Sequence, residues 1–162
     1  MKIIVCLLII AFTQISNAQQ PVNLIPNPSF ELKNSCPTRI SSSPSDFNNK
    51  VISWQAEYYS RENLNALKNS PDYYNACAPY NESNPNSTNN VGVPFNISGN
   101  QLAHSGNGYI GMIFGLGGPN NPYYEYVFTP LITQLIAGEE YTFSMFVSLA
   151  ENSSSDAINK VG

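Results

Sequence analysis

The most constraining stretch of this chain is Ala137 to Ala150, A-G-E-E-Y-T-F-S-M-F-V-S-L-A. Tyr141, Phe143, Met145, Val147 and Leu149 alternate with Thr142, Ser144, Phe146 and Ser148. A pleated strand sends successive side chains to opposite faces, so the first set forms one apolar face and the second is mostly hydroxyl. Such a strand needs a second layer over its apolar face. The stretch therefore predicts an all-β fold, an antiparallel β-sandwich, with this strand at its centre and partner strands drawn from the rest of the chain.

Several segments qualify as partners. Val51 to Tyr59 alternates Ile52, Trp54, Ala56 and Tyr58 against Ser53, Gln55 and Glu57. On that pattern Trp54 is a core residue rather than a sugar-stacking platform. Tyr109–Phe114 and Tyr123–Phe128 read as two further strands. Asn23 to Glu31, N-L-I-P-N-P-S-F-E, places two prolines within three residues, which suits an edge or turn. Cys36 to Asn49 and Asn81 to Val93 are rich in Ser, Asn and Pro and read as loops, the second one mobile. Arg61 to Asn69 reads as a short helix ended by Pro71. The count of five or six strands falls short of the roughly eight of a jelly roll. The sandwich is therefore expected to be incomplete at its C-terminus, over residues 19–162.

The N-terminus carries an address. Lys2 precedes the apolar run Ile3–Phe12, which is too short to span a bilayer, and Ser16-Asn17-Ala18 supplies small residues for cleavage. Residues 1–18 are thus expected to be a signal peptide cleaved after Ala18, giving a secreted, periplasmic or cell-surface protein with no transmembrane span in the mature chain. Export leaves Cys36 and Cys77, which in an oxidising compartment are expected to pair. A net charge of −4 offers no basic patch for nucleic acid and argues against docking on anionic lipid.

Candidate chemistry is sparse. Gly106-Asn107-Gly108-Tyr109-Ile110-Gly111 matches G-x-G-x-x-G, but it follows a polar loop and leads into a strand, with no helix to receive a pyrophosphate. Its glycines read as turn residues with positive φ. His104 is the only histidine and reads as a loop residue. No serine sits in a nucleophile elbow. Glu125, Glu139 and Glu140 are acids without a sequence reason to face one another across a cleft. The chain is therefore read as non-catalytic, with no cofactor beyond a structural calcium ion that Glu31 could hold together with backbone carbonyls. The tyrosine pairs are the remaining signal. In a strand one member of each pair faces out, and an outward Tyr beside Asn can stack on a sugar ring. This makes Tyr59, Tyr73, Tyr74, Tyr123 and Tyr124 the candidate ligand-binding residues.

Two resemblances follow from these residues. The segments 23–31, 104–110 and 137–146 occur in an order similar to carbohydrate-binding modules of the galactose-binding-like jelly-roll type. The chain from 23 onward also resembles the N-terminal region of secreted surface proteins of gliding bacteria. The matching pieces are Cys36-Pro37, Trp54, the Asp72–Cys77 element, Val93-Pro94 with Asn96, Tyr123-Tyr124-Glu125-Tyr126, and V-S-L-A at 147–150. In that group a peptidoglycan-binding domain like that of outer-membrane protein A, or a gliding-motility sorting domain, often follows. The resemblance implies that the jelly roll continues beyond Gly162, and that its partner is a glycan or another cell-envelope component. The expected function is an exported, non-catalytic binding or adhesion module at the cell surface, with glycan as ligand. The alternative is a structural or docking domain of the envelope without a sugar ligand.

Overall fold

The computed structural model describes residues 22–58, 69–116 and 123–152. The expected signal peptide and the helix expected from Arg61 lie outside them, save Asn69. Six short strands and one short helix are present among the described residues: α1 (Pro44–Asn48), β1 (Asp72–Asn75), β2 (Phe95–Asn96), β3 (Gly99–Asn100), β4 (Gly108–Gly111), β5 (Phe114–Leu116) and β6 (Tyr123–Tyr124). They pair antiparallel as β1 with β4, β2 with β3, and β5 with β6, in three separate two-stranded sheets. The chain is β-rich and antiparallel, and these sheets do not merge into two broad stacked layers.

Helix α1 falls inside the stretch expected to be loop. Ser43 caps it with an extended backbone, its side chain accepting from the Asp46 N–H, and Pro44 stands in the first turn. Ser before Pro is a helix-start signal because the hydroxyl satisfies an orphan N–H and proline has none to lose. The helix delivers Phe47, which is fully buried.

The core has two parts on either side of β1. Phe47, Val51, Ala56 and Tyr73 form one cluster, with Phe30 and Trp54 packed against it. Tyr74, Ala78 and Val91 form the other, with Cys36 and Tyr109 against it. The Cys36–Cys77 disulfide closes the second cluster.

The opening segment organises the first cluster. Asn27 has φ 48, in the left-handed region that Asn tolerates better than most residues. Its buried amide donates to the carbonyls of Leu32 and Ile52 at 2.8 Å each and accepts from the Leu32 N–H at 2.9 Å. The Trp54 indole N–H donates to the Asn27 carbonyl at 2.9 Å, and the Trp54 ring lies 5.1 Å from Phe30 at a tilt of 45°. Trp54 is thus a half-buried core residue and not a sugar-stacking platform.

The 51–58 segment departs from simple alternation. It carries isolated bridges at Val51 and Gln55 and no continuous strand. Val51 is buried while Ile52 and Tyr58 are exposed. Ser53, at φ 72, turns the backbone, so the inward face passes from Val51 to Trp54 and Ala56.

The largest correction concerns the expected central strand. Residues 139–150 run without helix, turn, bend or ladder pairing, and every one is exposed. Phe143 is 69%, Phe146 73% and Val147 72% accessible. The alternation is real, but a strand forms only against a partner, and no described segment pairs with this one. Its end is fastened instead by side chains, including a His104–Phe146 stack with ring centroids 3.4 Å apart. No helix among the described residues is long and apolar enough to cross a membrane.

Candidate functional site

The candidate tyrosines separate once placed on these elements. Tyr73 and Tyr74 do not face a ligand, which corrects the expectation for both. The reason is that β1 is covered on both faces: Tyr73 enters the first cluster and Tyr74 the second. The Tyr73 hydroxyl donates to the Phe30 carbonyl and accepts from the Asn75 amide, each at 2.8 Å, and burial pushes its pKa up to about 12. The Tyr74 hydroxyl lies 2.8 Å from Ser98 Oγ, and its ring packs 5.3 Å from Tyr109. Tyr124 is exposed at its place in β6. Tyr123 lies in β6 opposite Leu116, and its side chain, like Tyr59, falls outside the described residues.

Glu31 proves to be a clamp on the glycine-rich turn. Its Oε1 accepts from the backbone N–H groups of Asn107 at 2.6 Å and Gly108 at 2.9 Å, and its Oε2 accepts from the Asn107 amide at 3.0 Å. Desolvation, the largest single influence, raises the Glu31 pKa, but these donors and nearby Lys33 together outweigh it and hold the carboxyl below its ordinary value. Of the three glycines in the motif only Gly106 has positive φ, at 70°, and a Cβ there would meet the Glu31 carboxylate at 2.5 Å. Gly108 and Gly111 are strand residues of β4, which corrects the expectation that all were turn positions. Both oxygens expected to bind calcium are thus engaged by N–H donors. No group of three or more His, Cys, Asp or Glu among the described residues could hold a metal.

Replacing Glu31 by Ala is expected to cost about 1–2 kcal/mol, the scale of lost hydrogen bonds to a partly exposed carboxylate. Amide hydrogen exchange at Asn107 and Gly108 should accelerate first. Unchanged exchange there would remove the clamp.

Two further acids, buried Glu125 and half-buried Asp72, are held by hydrogen bonds. Glu125 accepts from the Ser70 N–H at 3.1 Å, Ser70 Oγ at 3.0 Å and the Ile113 N–H at 2.8 Å, tying β1's leading end to the β4–β5 connection. Asp72 accepts from the Ser41 N–H at 2.7 Å and the Tyr74 hydroxyl at 3.3 Å. Burial raises the Asp72 pKa to about 6, against the Ser41 N–H, with the Glu125 charge adding to the rise.

A recess opens elsewhere, between the 80–100 region and the chain's tail. This cleft of about 320 Å³ is lined by Tyr80, Phe95, Asn86, Asn100, Glu151 and Asn152, with Pro85, Asn96 and Gly99 completing it. Tyr80 and Phe95 pack with centroids 5.7 Å apart at 38°, and Phe95 stays 49% accessible. None of Tyr73, Tyr74 and Tyr124, the expected tyrosines with described side chains, lines it.

The loop behind the cleft is irregular, as its composition implies, yet it is built around one side chain. Buried Asn90 accepts from the Asn81 N–H at 2.9 Å and donates to the carbonyls of Asn84 at 2.8 Å and Pro85 at 3.0 Å. Asn96 fixes the other wall by donating to the Tyr109 hydroxyl at 2.6 Å and the Gly92 carbonyl at 3.1 Å. The tail is fastened across the gap: the Asn100 N–H donates to Glu151 Oε2 at 2.9 Å, and the Asn152 N–H to the Ser98 carbonyl at 3.1 Å.

Neither a family model, a curated protein nor a solved structure matches this chain.

Sequence reasoning missed Tyr80 and Phe95 because neither lies in a tyrosine pair. A signal existed: Pro79-Tyr80-Asn81 and Pro94-Phe95-Asn96 each set an aromatic ring between a proline and an asparagine. Proline stiffens the approach to the ring, and the following Asn anchors the backbone through its side chain.

Proposed function

We propose that this chain is an exported, non-catalytic binding module of the cell surface, with a jelly-roll plan, and that its ligand is a glycan held in the Tyr80–Phe95 cleft. One observation carries the reading: an accessible aromatic pair stands in an open recess whose rim is made of asparagine amides and one carboxylate. Aromatic faces pack on the C–H face of a sugar ring while amides and carboxylates bond its hydroxyls. The Cys36–Cys77 bridge supports an oxidising compartment, in line with export. The reading requires no cofactor, and calcium at Glu31 has no part in it.

A glycan array probed with the full chain, recovered after export, tests this. Phe95→Ala is expected to weaken binding by about tenfold or more, the size of an aromatic contact of roughly 1.5 kcal/mol, with the melting temperature kept. Binding untouched by that change would remove the cleft from the account.

The second reading is an envelope docking domain with no sugar ligand. It is favoured by the exposed apolar residues from Tyr141 to Leu149. Flat arrays together with retention on envelope proteins would select it.

A further inference from the structure

We infer that the cleft selects uncharged sugars, recognised through hydroxyls donated to Glu151, and turns away sugars that carry a carboxylate. The inference rests on the glycan reading of the same cleft and adds the ligand's charge class to it.

The observations are chemical. Among the described residues, the lining contains one carboxylic acid, Glu151, and no lysine, arginine or histidine. Glu151 is exposed, and its Oε2 accepts the Asn100 N–H at 2.9 Å, which orients the carboxylate. The carboxylate of an ionised acid only accepts, so the groups that complement it are donors. Adjacent hydroxyls of a sugar are such donors, and bonds to a charged acceptor are the stronger kind. A ligand carboxylate brought to the same place meets like charge, with no cation among the described lining residues to offset it. The exposed amides of Asn86 and Asn100 offer both donors and acceptors at the rim and therefore do not discriminate by charge.

The position of Glu151 is itself built. Gly99, at φ 131, lies directly beneath it, and a Cβ there would sit 2.8 Å from Glu151 Cβ. The Asn152 amide donates to the Ile97 carbonyl at 2.9 Å, securing the next residue.

The test pairs each neutral sugar with its acid: methyl glucoside with methyl glucuronide, and methyl galactoside with methyl galacturonide. Affinities are measured by titration calorimetry on the full chain at low and high salt. At low salt the neutral member of a pair is expected to bind about tenfold tighter, with the gap narrowing in high salt. Glu151→Gln should shrink the gap to about twofold, since the amide removes the charge and keeps an oxygen for the Asn100 N–H. Equal or tighter binding of the acids by the unaltered chain overturns the charge rule while leaving the glycan reading in place. Absence of binding to both members of every pair overturns the two together. The comparison on the unaltered chain decides the matter even where the variant folds poorly.

Discussion

Removing the Cys36–Cys77 bridge is expected to lower stability by about 4 kcal/mol, the loop-closure entropy of a loop of this size. The two cysteines are 41 residues apart, and the loop they close contains α1, most of the first core cluster and β1. Without the link the unfolded chain gains that freedom back, while the native contacts stay as they were. Domains of this size are stable by only about 5–15 kcal/mol, so the loss takes a large share. The second cluster also loses its closure, because Cys36 packs against Tyr74, Ala78 and Val91. Urea unfolding followed by fluorescence, with and without reductant, measures the effect. The midpoint should fall sharply, and Cys36→Ser with Cys77→Ser should reproduce it without reductant. An unmoved midpoint would mean that the bridge constrains nothing the fold does not already hold.

The second large effect concerns Asp72 and has a sign fixed by burial. Its pKa is raised from 3.8 to about 6 in the folded chain. Between those values the folded state keeps a proton that the unfolded state has released. Stability therefore falls as pH rises through that window, and the loss persists above it. At roughly 1.4 kcal/mol per tenfold change in proton affinity, the fall approaches about 3 kcal/mol. Asp72→Asn should remove this dependence and leave the chain more stable than the original at pH 7. Its Oδ1 still accepts the Ser41 N–H that the aspartate accepts at 2.7 Å. Chemical denaturation at pH 4 and pH 7 of both proteins checks the sign. Destabilisation of the Asn variant at pH 7 would show that Lys50, whose charge favours ionised Asp72, outweighs burial.

The parts of the fold that were legible in the sequence are those set by short-range chemistry. The pairing of Cys36 with Cys77 follows from cysteine number and the expectation of export, and Trp54 is readable as a core residue, although the face it shares is set by Ser53 and not by plain alternation. The Ser43-Pro44 helix start is equally readable, although serines surround it. Less accessible was anything decided by what lies on the far side of a strand. Tyr73 and Tyr74 carry the pattern of a half-exposed strand, yet both are buried, because Phe47 from α1 covers one face and Val91 with Ala78 covers the other. The 141–149 stretch shows the converse, since its alternation requires a covering layer that no described residue provides. Ser53 hides a third kind of information: a single left-handed residue exchanges inside and outside without altering composition. The candidate cleft was illegible for a related reason. Its aromatic ring pair comes from Tyr80 and Phe95 and its carboxylate from Glu151, which is tied to Asn100, 51 residues earlier, by a backbone N–H that any residue but proline would supply.

That seam between Asn100 and Glu151 couples occupancy to anchorage. A molecule that touches Phe95 on one lip and Glu151 on the other gains its full grip only while the tail is seated, so each bound molecule holds the tail down in return. Saturating sugar should therefore slow proteolytic nicking of residues 139–150, and a protease clock would read out ligand binding with no label on either component.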